Sequence, residues 1–269
     1  MANSINTNVG AMVALQNLNA TGRELNVTQN RVNTGLKVAS AKDNGAIFAI
    51  ASGLRAEQGA LDSVKNSIQR GISVIDVALA AGDTIQKALE EQKGLAVAIQ
   101  SSVAGSAAET AYLADFNALG TEITAALAGA SFDGVNIYAA GSATNNLVVQ
   151  TGTATTYSVH GVAGAATTVA TATGTVVRAG ATAAAVDTAN ATFAAKLGTL
   201  GGNAKSLERQ LTFTSKFQDA LEAGVGNLVD ADLAKESARL TALQTKQQLG
   251  VQALGIANQS GSILLGLFR

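Results

Sequence analysis

The stretch LDSVKNSIQRGISVIDVAL, residues 61–79, decides the fold of this chain. Its large aliphatic side chains return at alternating steps of three and four residues, at Leu61, Val64, Ile68, Ile72, Ile75 and Leu79. This spacing places an apolar stripe along one face of a helix, as in a coiled coil. The stripe resumes at Ile85 and Leu89 and continues to Val103. If residues 58–103 form one helix, it is about 65–70 Å long.

A helix of this length needs a partner that covers its stripe, and the C-terminal third of the chain matches its pattern. There a heptad-like repeat runs from Phe193 to Leu221 and includes Leu207 and Leu211. The sequence therefore predicts a mainly α fold, an elongated antiparallel helical bundle or coiled coil formed by the N- and C-terminal segments.

A small β-hairpin region is expected at the middle of the chain. Residues 139–186 are rich in Thr, Ala, Gly and Val, and glycines divide them into short segments. Because this region is also of low complexity, disorder is a competing interpretation. The predicted strands are residues 147–150, 155–160, 167–170 and 175–178.

Capping and breaking residues predict where the helices begin and end. Gly35 is typical of a helix C-cap, and Ser40 or Asp43 is expected to cap the following helix. We interpret residues 198–202 as bends and Gly224 with Gly226 as a helix break. The final helix is then expected to start at Asp230 or Asp232.

Both ends of the chain lack charge but keep an apolar stripe. Residues 1–22 and 249–268 contain no Asp, Glu, Lys or Arg, whereas free termini are usually charged and solvated. Gln252 and Asn258 argue against a membrane span. A bundle buries only one stripe of each helix, so the second uncharged face predicts packing between molecules. Because the first positive side chain is Arg23, we expect no cleavable signal peptide.

The residue inventory excludes most catalytic chemistry. The chain has no Cys, and His160 is its only histidine, so no thiol site, Ser-His-Asp triad or His-based metal site can be assembled. There is no phosphate-binding glycine loop, and the net charge of -1 gives no basic surface for nucleic acid. We expect no enzyme activity, no cofactor, and no nucleic-acid or membrane partner; His160 is interpreted as a surface or turn residue.

Several motifs near both ends resemble those of bacterial flagellins, in the same order. They are Ile5-Asn-Thr-Asn8, Ala14-Leu-Gln-Asn-Leu-Asn19, the run from Asn33 to Asn44, Gly94-Leu-Ala-Val97, Phe132-Asp-Gly-Val-Asn-Ile137, the run from Asn227 to Ser237, and Gln244-Thr-Lys-Gln-Gln-Leu249. The resemblance covers residues 1–138 and 190–269, and it is greatest to flagellins of the alphaproteobacterial kind.

The resemblance implies a structural subunit that polymerises helically into the extracellular flagellar filament for swimming motility. It implies an inner D0 core from residues 1–38 and 225–269, and a D1 rod from 39–138 and 187–224. The short variable region, residues 139–186, then carries little or no D2 or D3; its Ser and Thr are candidates for O-glycosylation. Export unfolded through the flagellar type III channel is implied, with an export chaperone, cap and hook-associated proteins and sister flagellins as partners besides many identical subunits.

Two sets of residues follow from this assignment. The expected polymerisation core comprises Ile5, Met12, Leu15, Leu18, Leu25, Leu240, Leu243, Val251, Leu254, Ile256, Leu264, Leu267 and Phe268. The expected D1 rod seam comprises Leu61, Val64, Ile68, Ile72, Ile75, Leu79, Leu89, Leu207 and Leu211.

Two alternatives stay open at this point, a hook–filament junction protein and a secreted coiled-coil toxin or adhesin. The junction protein has similar ends. The toxin would need a long apolar hairpin, which the sequence lacks. Flagellins that activate the innate flagellin receptor carry an Arg shortly before the Leu-Ala-Val stretch, and Glu91 occupies that place here. The resemblance therefore implies weak or absent receptor activation.

Overall fold

A computed structural model describes residues 8–138, 147–159 and 176–266, with side chains described as far as residue 259. The described chain forms two compact units: a central unit of residues 57–219, and a terminal unit of the residues up to 56 with those from 220 onward. The helices are α1 (Val9–Thr34), α2 (Gly45–Ser101), α3 (Ala107–Gly129), α4 (Ala183–Val229) and α5 (Leu233–Gly266). The strands are β1 (Ser131–Phe132), β2 (Val135–Asn136), β3 (Leu147–Gln150) and β4 (Thr156–Val159).

The mainly α fold predicted from the sequence is confirmed. Residues 58–101 of the predicted long helix lie within α2, and helices from the N-terminal part of the chain pack against helices from the C-terminal part. Within the described residues, no helix combines the length and the apolarity that a membrane span requires.

The core of the central unit is aliphatic, with three large aromatic side chains at its centre. Phe116, Tyr138 and Phe193 are all almost completely buried. The Tyr138 hydroxyl donates a hydrogen bond of 2.5 Å to the Ala78 carbonyl, and its ring lies 5.8 Å from that of Phe193. Burial raises the pKa of Tyr138 well above its usual range, so its proton stays in this bond. The core thus joins α2, α3 and α4 to the chain that follows β2.

Two antiparallel hairpins lie in the middle of the chain; the sequence predicted the second, β3–β4, and did not predict the first, β1–β2. In the β1–β2 hairpin, Asp133 and Gly134 take φ of 51° and 77°, the conformation of a tight two-residue turn. In the second hairpin, Leu147 pairs with Val159 and Gln150 with Thr156. Leu147 and Val149 are buried while Val148 is exposed, so the strand presents alternate side chains to the core.

The second hairpin lies unusually close to α2 at Gly71. A methyl group added to Gly71 would lie 2.5 Å from a methyl carbon of the buried Val149. We expect Gly71→Ala to lower the free energy of unfolding of the central unit by about 1–3 kcal/mol, because the β-branched Val149 cannot swing aside. Thermal denaturation followed by circular dichroism measures this change.

Gly59→Ala is the matched control, since Gly59 lies exposed on the same helix with nothing within 4 Å of an added methyl. It should raise the free energy of unfolding by about 0.5–1 kcal/mol, through helix propensity alone. Equal effects from the two substitutions would contradict the close approach at Gly71.

The predicted strand at residues 175–178 is wrong over its described part. Val176 and Val177 lie outside any strand, and residues 178–180 form a turn. The side-chain amide of Asn117 replaces a strand partner: its Oδ1 accepts from the Val176 N–H at 2.8 Å, and its Nδ2 donates to the Val176 carbonyl at 3.3 Å. The expected strand at 167–170, and His160, lie outside the described residues.

Arg178 fixes this segment to the turn between α2 and α3. Its guanidinium donates to the carbonyls of Ser102 and Gln100, at 3.1 and 2.9 Å, and forms an ion pair of 3.2 Å with Glu109. The Gly105 N–H also donates to the Glu109 carboxylate. That hydrogen bond, aided by Arg178, holds the pKa of Glu109 below its ordinary value of about 4.5.

This carboxylate predicts a loss of stability in acid. Because the pKa of Glu109 is lower in the folded state, its contribution is complete above the unfolded pKa and is lost as the pH falls through the folded pKa. We expect Glu109→Gln to lower the melting temperature at neutral pH and to flatten its decline between about pH 5 and pH 3.

Glu122→Gln is the control: Glu122 lies exposed on the same helix and takes part in no ion pair among the described residues, so this variant should melt close to the wild type at neutral pH. The measurement is the melting temperature by circular dichroism across this pH range. A Glu109→Gln profile parallel to that of the wild type would rule out this role of the ion pair.

Three predicted helix boundaries are corrected. Gly198, Gly201, Gly202, Gly224 and Gly226 all lie within α4, because packing of its apolar face outweighs a cost of about 1 kcal/mol per helical glycine. The cap of α2 is Asn44, whose Oδ1 accepts from the Ile47 N–H at 3.1 Å. Asp43 instead accepts from the N–H groups of Ala39 and Ser40 in the preceding turn, and the Ser40 bonds lower its pKa.

Candidate functional site

The uncharged ends of the chain meet in the terminal unit, where α1 packs against α5. Asn8 caps α1 by accepting from the Ala11 N–H at 3.0 Å, and α1 ends at Gly35, which has a φ of 71°. Asp232 caps α5 by accepting from the N–H groups of Ala234 and Lys235, both at 3.1 Å. The predictions of Gly35 and Asp232 as boundary residues are thus confirmed.

Polar contacts at each end of α1 define its antiparallel pairing with α5. The Asn8 side-chain amide donates to the Ala257 carbonyl at 2.6 Å. At the other end of α1, Arg31 forms an ion pair of 3.1 Å with Glu236, near the start of α5. Because the first residues of α1 meet the later part of α5 and its last residues meet the start of α5, the two helices run in opposite directions.

A small apolar cluster lies where the chain leaves α1 and enters α5. Val38, Ala51, Val225 and Val229 are buried there. The N–H of Lys37 donates to the Val229 carbonyl at 2.6 Å, and the N–H of Ala231 donates to the Gly35 carbonyl at 2.8 Å. This cluster gives the terminal unit a core that does not depend on the far ends of α1 and α5.

Helices α1 and α5 approach each other closely, but their contact buries few large apolar side chains. A methyl group added to Gly250 would lie 3.2 Å from a methyl carbon of Leu18. The buried residues of this contact include Thr21, Thr28 and Leu243, so small and polar side chains share it with few large apolar ones. Much of the apolar surface of α1 and α5 therefore remains exposed.

Large apolar side chains are exposed on the uncharged parts of both helices. Met12 is 65% exposed and Ile256 is 70% exposed. Other large exposed apolar side chains on the uncharged parts of these helices are Val9, Val13, Leu15, Leu249 and Val251. Isolated exposed apolar side chains are ordinary, but a set of this size on two adjacent helix segments without charged residues marks an interaction surface.

A groove of about 610 Å³ lies between α1 and α5 on this surface. Many of its lining residues are Gly or Ala, and Lys246 is the charged residue among them. The lining residues are Gly10, Val13, Ala14, Asn17, Leu18, Thr21, Lys246, Leu249, Gly250, Ala253 and Ala257. A groove lined by Gly and Ala can receive a large apolar side chain from another molecule.

The residues predicted for the polymerisation core occupy different environments. Met12, Leu15, Val251 and Ile256 are exposed; Leu18, Leu25, Leu240 and Leu254 are half-buried; and Leu243 is buried against the paired helix. Leu264 lies in α5, where side chains are not described, and Ile5, Leu267 and Phe268 lie outside the described residues. The prediction omitted Val9, Val13 and Leu249, which the same uncharged apolar pattern could have identified.

The residues predicted for the rod seam line the inside of the central unit. Leu61, Val64, Ile68, Ile75, Leu89 and Leu207 are buried, and Ile72, Leu79 and Leu211 are half-buried against the same core. They are therefore occupied by contacts within one molecule. Among the described residues, no group of His, Cys, Asp and Glu side chains is arranged to hold a metal ion.

Comparison with known proteins identifies both helical regions of the chain. Residues 5–144 match the profile described as the bacterial flagellin N-terminal helical region, and residues 183–268 match the bacterial flagellin C-terminal helical region. The chain is 50% identical to flagellin FljK of Caulobacter vibrioides, with 99% of each chain covered. It is 36% identical to flagellin FljJ of the same organism over 100% of this chain and 99% of FljJ. It is 35% identical to a flagellin of Brucella melitensis over 99% of each.

Proposed function

The chain belongs to the bacterial flagellin family and is a structural subunit of the flagellar filament, and we propose that its paired helices α1 and α5 form the inner D0 core of that filament. Subunits of this family assemble outside the cell into a helical polymer that serves motility. We assign residues 1–38 and 225–269 to D0, residues 39–138 and 187–224 to the D1 rod, and residues 139–186 to a short variable region.

One observation carries this proposal: the uncharged parts of α1 and α5 expose a set of large apolar side chains in the single subunit. Met12, Leu249 and Ile256 are each more than half exposed. Burial of each such side chain between subunits contributes about 1.5–3 kcal/mol. Because residues 1–22 and 249–268 contain no Asp, Glu, Lys or Arg, burying these segments desolvates no charged side chain of theirs.

The groove between α1 and α5 favours a heterologous contact, in which two subunits meet through different surfaces. The groove is open in the single subunit. We propose that it receives apolar side chains from a different surface of the neighbouring subunit. Heterologous contacts that do not close produce an open helical filament. Assembly of the purified chain with and without residues 249–269 tests the proposal, because only the intact chain should form filaments visible by electron microscopy.

We further propose that the subunit is exported unfolded through the flagellar type III channel. The chain has no Cys and no Pro, so neither disulfides nor prolyl isomerisation constrain its unfolding and refolding. An export chaperone, the filament cap and the hook-associated proteins are its proposed partners. Caulobacter vibrioides has more than one flagellin, which supports sister flagellins as further partners in the same filament.

We propose that the protein has no catalytic activity of its own. It belongs to a family of structural proteins. The described residues hold no cluster of titratable side chains that could bind a metal ion.

A further inference from the structure

The central unit exposes two surfaces of opposite charge, one acidic and one basic. The acidic groove is formed by Glu91, Gly94 and Leu95 of α2 with Asp115, Ala118, Leu119 and Glu122 of α3. The basic-aromatic stripe is formed by Lys205, Arg209, Phe213, Lys216 and Phe217 of α4. We propose that the stripe of one subunit docks into the acidic groove of a second copy of this chain; the inference rests on the assignment of the protein as a filament subunit.

The acidic groove has an apolar floor and a charged rim. Its volume is about 620 Å³. Leu95 and Leu119 are half-buried at its base, and the rim carries the exposed carboxylates of Glu91, Asp115 and Glu122. Gly94 faces open space in the groove, since an added methyl group there would have nothing within 4 Å. Such a groove accepts a flat apolar group that is flanked by cations.

The basic-aromatic stripe presents two flat aromatic rings that are flanked by cations. Phe213 and Phe217 lie one helical turn apart, with their ring centroids 6.0 Å apart and their planes within 3° of parallel. Phe213 is 59% exposed and Phe217 is 37% exposed. The chain has only 7 Phe and no Trp, so two of its few aromatic side chains lie exposed in one stacked pair. Aromatic side chains, Phe included, are enriched in the buried cores of protein interfaces.

Three cations accompany these rings on the same side of α4. Lys205, Arg209 and Lys216 are spaced by four and seven residues, which brings them to one face of a helix. All three are exposed. Among the described residues, none of these cations, and none of the three groove carboxylates, takes part in an ion pair. Three free positive charges therefore match three free negative charges on a different surface of the same unit.

Self-association explains both surfaces better than a foreign partner does. A filament presents every subunit with many copies of the complementary surface at high local concentration. Because the groove and the stripe are different surfaces, their contact is heterologous and can repeat along a polymer. Opposite charges at its edge fix the register of the contact and disfavour wrong orientations. This contact is separate from the apolar faces of α1 and α5.

Charge reversal on each side tests the pairing. One variant carries Arg209→Glu and Lys216→Glu, and the other carries Glu91→Lys and Glu122→Lys. Each should raise the critical concentration for assembly of the full chain by about tenfold, and a chain carrying all four changes should return to within about twofold of the wild type. Critical concentrations are measured by sedimentation of filaments grown from purified subunits.

Lys196→Glu is the matched control, because Lys196 is an exposed lysine of α4 that lies off the stripe. It should assemble like the wild type. Melting temperatures of all the variants should agree with the wild type, since the changed side chains are exposed. Reversals with no effect, or a fourfold variant that assembles no better than the double variants, would overturn the pairing.

The test also separates this inference from the assignment of the protein as a filament subunit. If the wild-type chain forms filaments and the reversals leave its critical concentration unchanged, only the docking of stripe and groove is wrong. If purified wild-type chain fails to form filaments under conditions that polymerise a known flagellin, the filament assignment fails first.

Discussion

Filament formation should be abolished when residues 249–269 are removed, while the remaining chain stays helical, soluble and monomeric. The deletion removes the exposed Leu249, Val251 and Ile256, and with them most of the described apolar surface of α5. It leaves the Arg31–Glu236 ion pair, the buried Leu243 and the apolar cluster around Val229 in place. Within the subunit the deletion also removes Gly250 and Ala257, the partners of Leu18 and Asn8, so the first turns of α1 lose their cover while the rest of the terminal unit keeps its core. Electron microscopy and sedimentation report the filaments, and circular dichroism reports the helices.

A full-length control separates the apolar face from the length of the tail. Leu249→Ser, Val251→Ser and Ile256→Ser together retain every residue of the chain but remove the exposed apolar side chains. This variant should also fail to assemble, because the face that neighbouring subunits bury is lost. Filaments of normal length from the truncated chain would contradict the proposed role of the α1–α5 pair in the filament core.

A single charge at Ile256 should impair assembly far more than it impairs folding. Ile256 is 70% exposed, so a lysine there remains in water in the free subunit. In the filament the same charge would be buried without a partner, at a cost of about 3–5 kcal/mol. We expect Ile256→Lys to raise the critical concentration for assembly by more than about a hundredfold, with a melting temperature close to that of the wild type. Sedimentation of assembled filaments and circular dichroism of the monomer measure the two quantities.

Two comparisons sharpen this test. Ile256→Val keeps the apolar, β-branched side chain and should assemble normally. Leu254→Lys is less specific, because Leu254 is half-buried and a charge there also acts on the free subunit. Normal motility and normal filament length in cells that produce only Ile256→Lys would show that this face stays in water after assembly.

Local patterns in the sequence predicted the helices and one hairpin because each depends on neighbours along the chain. The alternating three- and four-residue spacing from Leu61 to Leu79 predicted the central part of α2. The β3–β4 hairpin followed from β-branched residues between glycines. Gly35 ends α1 with a positive φ. The residue type alone indicated this, because glycine adopts the left-handed conformation at little cost.

The misjudged features all depend on contacts between distant residues. Gly198, Gly224 and Gly226 are local signals for a bend, yet α4 continues through them. The side chain of Asn117 bonds both the N–H and the carbonyl of Val176, which a neighbouring strand would otherwise pair. No residue near position 176 in the sequence indicates this. The choice of Asn44 over Asp43 as the cap of α2 depends on the turn in which Asp43 is already engaged.

The sequence by itself determined the helical class of this protein, the pairing of its N- and C-terminal segments, its family, and the uncharged character of its ends. Those properties reside in residue type and spacing, which act over a few turns of a helix. Only the tertiary structure decided which side of each terminal helix is covered. Leu243 of α5, the helix that packs against α1, is buried, while Met12 and Ile256 remain exposed, although all three belong to the same apolar pattern. The physical reason is that one antiparallel pair can bury only one face of each helix, and the side left in water is known only when the partner helix is in place.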